Sequence, residues 1–378
     1  MDDAGAGKVL IIHDERMLEH HPTGWDPEHP DWTESVKALL AEQYPDKDFE
    51  HYAHPERPQR VVAITDRLRD EPVAGTRWLT SEPAEPPELE RAHTREHVAF
   101  IESLIGRACW LSVDTTAVSP GSVMAAKLAA GAGIVAVESV LQGDAKRAFC
   151  LTRPPGHHAG AARASGFCLY NNAAVAAAHA RSLGLERVLI LDWDLHHGNG
   201  TQEIFYADRD VLFIDTHCAA PFYPGTGALQ ETGADAGRGT TINVPLPPGS
   251  GNAAFLRAME TIIVPAAEAF RPDLVLVSAG FDAHWLDQTF GMDESGFAAA
   301  TASLCGVADR HAEGRLVLCL EGGYNAESLA ASAHATIATL AGTMPGATNV
   351  LDEDPGFTAV DEAAAFHAEN PFAKPAGG

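Results

Sequence analysis

The chain has 378 residues, 46% of them hydrophobic, so it can bury one large core or two smaller ones, and wholesale disorder is excluded. It carries 26 basic against 52 acidic residues, a net charge of −26. That balance excludes nucleic-acid binding through the overall field, because phosphates are held by basic patches; the acidic surface serves solubility or attracts cationic substrates.

The first predicted element is the apolar run KVLIIHD (8–14), read as a buried strand. Residues 19–58 and 81–90, rich in Pro, Glu and His with weak periodicity, read as long surface loops. A helix over 120–141 precedes the strand AFCLT (148–152), which runs into RPPGHHA. A helix over 171–183 leads to the strand RVLILDWD (187–194), followed by the strand DVLFIDTH (210–217). A helix over 252–270, the strand LVLVSAG (274–280), a helix over 295–312, the strand RLVLCLEGG (315–323) and a helix over 325–341 complete the pattern. The tail after Pro355 reads as peripheral. The strand runs are near-continuously apolar, as in a parallel sheet covered on both faces. The alternation predicts one α/β domain over 1–378, a three-layer, doubly wound, mostly parallel sheet.

Six cysteines form no CxxC pair and several lie in apolar runs, which predicts reduced thiols rather than a disulfide framework. The start MDDAGAGKVLII lacks a basic, apolar leader, and no uninterrupted apolar segment reaches about 18 residues. A cytoplasmic protein without a membrane partner is expected.

Ligands of open parallel sheets bind beyond the carboxyl ends of the strands. Polar groups recur there: His157 and His158; Asp192, Asp194, His196 and His197; Asp215 and His217; Asp282; and Glu321 to Tyr324. One such end is an ordinary cap or turn, but five at one edge point to a site. Along an extended segment residues i and i+2 share a face. Asp194 and His196 are therefore expected to face one metal ion, with Asp282 as a third ligand and a position left open for water and substrate. Two carboxylates and an imidazole suit Zn²⁺, and equally Fe²⁺, Co²⁺ or Mn²⁺. A binuclear manganese site needs more bridging carboxylates than FDAHWLD (281–287) offers. Beside the metal, the pair His157-His158 can take a proton from water and pass one to a leaving amine. Which histidine does which stays open. Asp192 is the expected partner of His157 and Asn199 of His158, whereas His197 alternates away from the metal toward neighbouring backbone. Tyr324, after two glycines, is suited to donate a hydrogen bond to a developing oxyanion.

HPERPQR (54–60), RPPGHHA (153–159), SGFC (165–168), DWDLHHGNGTQ (192–202), PFYPGTG (221–227), SAGFDAH (278–284) and EGGYN (321–325) resemble, in order, the motifs of the histone deacetylase superfamily over about residues 54 to 340. The resemblance implies an arginase/deacetylase-like α/β fold and zinc-dependent hydrolysis of an acyl-lysine side chain or an acylated polyamine. It implies Asp194, His196 and Asp282 as metal ligands, His157 and His158 as the histidine dyad, Asp192 as the dyad's carboxylate partner and Tyr324 as the catalytic tyrosine. It also implies Gly166, Phe167 and Tyr223 as tunnel walls, Arg60 as an inner-channel arginine and Asp114 as a rim carboxylate. Thr289 falls at a rim position usually held by leucine or methionine, and Trp285 is placed to reshape the mouth. A structural K⁺ site would fall at Asp192, Asp194, His196, Asp215 and Thr216, with Asp215 where serine is common. Asn199 and EGGYN resemble the class II branch. Two other readings stay open, a non-catalytic acyl- or metal-binding module and an arginase-like binuclear manganese ureohydrolase. The 19–55 insertion would cover the entrance, join copies into a homo-oligomer or form an ordinary surface loop.

Overall fold

The computed structural model describes residues 9–21, 54–111, 116–343, 353–370 and 372. Asp114 and most of the 19–55 insertion lie outside them. Eight strands form one sheet: β1 (Val9–Ile12), β2 (Thr76–Leu79), β5 (Arg147–Cys150), β6 (Val188–Asp192), β7 (Val211–Cys218), β8 (Thr241–Leu246), β9 (Leu274–Ala279) and β10 (Leu316–Leu320). Their order is β2-β1-β5-β10-β9-β6-β7-β8, and every neighbouring pair is parallel. A short antiparallel pair, β3 (Cys109–Trp110) and β4 (Ala117–Val118), stands apart from it.

The apolar runs become strands because both faces of the sheet are covered. Successive side chains of a strand point to opposite faces. Val9, Ile11, Leu189 and Leu191 accordingly enter one core layer, and Leu10, Ile12, Val188 and Ile190 the other. Helices Gln59–Asp70, Glu294–His311 and Ala326–Leu340 cover the first face; Ser122–Gln142 and Asn172–Ser182 cover the second. Each fully buried Val, Leu or Ile contributes roughly 1.5–3 kcal/mol, which fixes the register and aims all the strands' carboxyl ends at one edge.

The six predicted strands and five predicted helices are all present. The edge strands β2 and β8 are not evident in the sequence. β2 is only half-buried, so its Thr-Arg-Trp-Leu run lacks a continuous apolar signal, and β8 contains Pro245, which an edge strand tolerates. The 81–90 stretch is not all loop: Pro86–Leu89 is a helical turn closed by a Glu85/Glu88 capping box, with Leu89 in the core. The tail is likewise more than peripheral, since Phe357–His367 is a helix that buries Val360, Ala363 and His367, whose Nε2 bonds the Asn243 carbonyl at 3.1 Å. Ser122–Gln142 is long and apolar enough to cross a membrane, but most of it is buried within this domain. None of the six cysteines forms a disulfide.

Candidate metal centre and active site

Past Asp192 the β6 chain stays near the sheet edge, and Asp194 and His196 meet Asp282, which follows β9, the neighbour of β6. Their ligand atoms lie within 4.8 Å of one another. His196 Nδ1 is 3.0 Å from Asp194 Oδ1 and 2.9 Å from Asp282 Oδ2. The backbone holds the other carboxylate oxygens: Asp194 Oδ2 accepts from Gly322 N at 2.7 Å and Asp282 Oδ1 from Leu195 N at 2.9 Å. Asp282 Oδ2, fully buried, has no well-directed hydrogen bond among the described residues. Gly280 and Gly322 press against this cluster, and a Cβ on either would come within 2.5 Å of a ligand oxygen. Burial penalises His196's charge, yet Asp194 and Asp282 push its pKa up to about 9. Two buried carboxylates sharing one imidazole, with an oxygen left over, fit a divalent cation held between the three side chains.

The dyad packs alongside. The rings of His157 and His158 are 4.0 Å apart at their centroids. His157 Nδ1 donates to Asp192 Oδ2 at 3.0 Å, and His158 Nδ1 to Asn199 Oδ1 at 2.8 Å, the two partners expected from the sequence. Although burial opposes it, Asp194 and Asp192 hold His157 well above the ordinary histidine range. Burial, then the neighbouring His157 and His196, holds His158 well below it. Their surroundings thus push the two histidines in opposite directions, which their sequence does not reveal.

Tyr324 follows the two glycines after β10. Burial pushes its phenol well above the usual range, so it remains a donor. Its ring meets Phe167 edge-on with centroids 6.2 Å apart, and the Arg60 guanidinium sits 5.0 Å from the ring centre. Arg60 is buried; its Nε donates to Gly323 O at 2.5 Å, its Nη2 to Glu321 O, and its Nη1 to Glu56 Oε1 at 3.2 Å. Tyr223 meets His158 edge-on at 5.1 Å. Gly166 approaches His158 so closely that a Cβ would lie 2.2 Å from its Cδ2. The three tunnel-wall candidates thus gather around the dyad and tyrosine.

Thr289 is different. It is exposed, and its hydroxyl contacts Cys218 Sγ at 3.8 Å, at the end of β7. Trp285 is 60% exposed. Asp215 and Thr216 lie beside Asp192: Asp215 is its register partner in the sheet, and Thr216 Oγ1 is 3.5 Å from its carbonyl. His197 does not turn to backbone as expected, because Thr226 Oγ1 at 2.8 Å and Gln202 Oε1 at 3.1 Å occupy its nitrogens.

Sequence reasoning misses several supports. Phe222 stacks on His196 at 5.1 Å. Asp287 Oδ2 accepts from Tyr324 N at 2.6 Å and Asn325 N at 2.7 Å. Glu321 Oε2 accepts from Gly156 N at 2.6 Å and His157 N at 3.1 Å. The strand ends signal Glu321 as polar but not what it holds.

A family model described as histone deacetylase domain matches residues 54–340. A probable deacetylase from Archaeoglobus fulgidus is 41% identical over 279 residues, covering 72% of this chain and 77% of that protein. A histone deacetylase-like amidohydrolase from Pseudomonas aeruginosa is 41% identical over 283 residues, covering 73% of each. Among solved structures, the HDA15 HD domain matches with a TM-score of 0.82 at 36% identity, over 97% of both chains.

Proposed function

The chain belongs to the histone deacetylase family, an amidohydrolase by that membership, and from this premise we propose that it removes acetyl or other small acyl groups from acyl-lysine side chains or acylated polyamines, using a divalent ion held by Asp194, His196 and Asp282. The buried Asp282 Oδ2, which shares the one His196 nitrogen with Asp194 and has no well-directed hydrogen bond among the described residues, carries this reading. Zn²⁺ is our choice of ion, with Fe²⁺, Co²⁺ and Mn²⁺ sharing the donor preference. A K⁺ ion beside Asp192, Asp194, His196, Asp215 and Thr216 would brace the same loop.

The bound divalent ion supplies Lewis acidity toward the acyl carbonyl and acidifies the attacking water. His158, neutral and with its Nδ1 proton given to Asn199, offers Nε2 as the base for that water. His157, whose cationic form is favoured by the hydrogen bond from its Nδ1 to Asp192, gives a proton to the departing amine. Tyr324 donates a hydrogen bond to the carbonyl oxygen as negative charge grows there. Phe167 and Tyr223 flank the acyl chain and exclude water from its sides. The net charge of −26 favours cationic substrates.

The test is hydrolysis by metal-loaded protein of acetyl-lysine peptides, longer acyl-lysines and acetylated polyamines. Tyr324→Phe is expected to lower kcat about 10²- to 10³-fold, and His158→Ala about 10²- to 10⁴-fold, with smaller changes in KM. Variants as fast as the parent would sink this mechanism.

A further inference from the structure

The site is assembled from loops that follow different strands, and one side chain reaches directly from one of these loops to the backbone of another. β5 leads into the dyad loop, Leu151 to His158, and β10 into the tyrosine loop, Glu321 to Asn325; the two strands are neighbours, with Cys150 opposite Cys319. Glu321, the first residue after β10, is fully buried. Its main-chain N donates to Ala279 O at 3.0 Å and its carbonyl accepts from Arg60, so its backbone is tied to the end of β9 and to the arginine under Tyr324. Its side chain instead reaches across to the dyad loop, where Oε2 receives two consecutive amides, Gly156 N and His157 N. The other oxygen, Oε1, has no hydrogen-bond partner among the described residues, so the carboxylate is committed to that loop alone. The fit at the turn is tight, since a Cβ on Gly156 would lie 2.4 Å from Asn172 N.

Resting on the deacylase reading above, we propose that Glu321 is a positioning residue: it fixes the Gly156-His157 turn relative to the tyrosine loop and so sets the distance across which the dyad and Tyr324 act on one carbonyl. What the geometry asks of this side chain is an acceptor oxygen at glutamate's reach. Gln keeps both, with its carbonyl oxygen receiving the two amides. Asp keeps the charge but falls one methylene short, and Ala supplies no acceptor.

The experiment compares the Zn²⁺-loaded full chain with Glu321→Gln, Glu321→Asp and Glu321→Ala. kcat and KM are measured on an acetyl-lysine peptide and an acetylated polyamine, and bound zinc by elemental analysis. The expected order places Gln within about threefold of the parent, and Asp and Ala about 30- to 100-fold lower in kcat, as for an ångström-scale misplacement of a reacting group. KM is expected within about twofold and bound zinc at the parent level throughout. A Gln variant as slow as Ala, or an Asp variant as fast as the parent, overturns the proposal. If Glu321→Ala does not fold, the contrast between Gln and Asp decides it alone. A loaded parent that cleaves neither substrate overturns the functional reading instead.

Discussion

Asp194, His196 and Asp282 bring their ligand atoms within 4.8 Å of one another, and so do His197, Asp215 and His217 a short way along the same sheet edge. In the second group the protein supplies every partner. His217 Nδ1 lies 2.6 Å from Asp215 Oδ1 and its Nε2 3.0 Å from Gly227 O; His197 bonds Thr226 and Gln202; and Asp215 Oδ2 accepts from Gly198 N at 2.8 Å. In the first group one imidazole nitrogen faces two carboxylates, and Asp282 Oδ2 is left without a directed donor. Both groups mix aspartate and histidine at similar separations in space, so proximity alone does not separate a candidate cation site from a buried polar brace. What separates them is whether the surrounding hydrogen bonds close.

The two clusters differ most at Asp282. Asp282→Ala should abolish deacylation and lower bound divalent metal from about one ion per chain to near none, measured by elemental analysis and amine release. Full metal content in that variant would mean the ligand set is wrong. A smaller effect separates the loaded and metal-stripped proteins. Without the ion, His196 carries a pKa of about 9 against an ordinary value of 6.5, so its proton stabilises the stripped fold fully below pH 6.5. That stabilisation, worth roughly 3 kcal/mol, is lost as pH rises through 9. The difference in Tm between loaded and stripped protein should therefore widen from pH 6.5 to 9; a gap that narrows contradicts it. The smallest change is expected in the closed cluster. His217→Gln leaves polar partners unmatched and should cost about 1–3 kcal/mol in urea unfolding, with divalent metal content unchanged. Loss of the ion from that variant would show that the two clusters are not independent.

Much of this is legible in the sequence. The six interior strands announce themselves because both faces are buried, which leaves no polar alternation in the run. The residues proposed for chemistry, from His157 to Tyr324, are found because parallel strands deliver their polar ends to one edge. What the sequence does not reveal depends on strand order rather than chain order. Glu321 reaches Gly156 because β10 lies beside β5, and Asp287 reaches Tyr324 because the loop after β9 lies beside the loop after β10. Neither adjacency is encoded in local spacing. The tail helix hides for a similar reason: its three buried positions are meaningful only once β8 forms the sheet's edge. Thr289 illustrates the converse, a position aligned by motif whose side chain turns to Cys218.

Because β9 lies between β10 and β6, the residues proposed to hold the ion come together from distant parts of the chain. Asp194 and Asp282 follow neighbouring strands that are distant along the polypeptide, and Gly322, the backbone donor to Asp194, arrives later still, just after β10. No amino-terminal fragment ending before β10 contains the whole cradle. During synthesis the proposed site would be complete only after these long-range pairings close, so metal uptake would mark the end of folding and not its beginning.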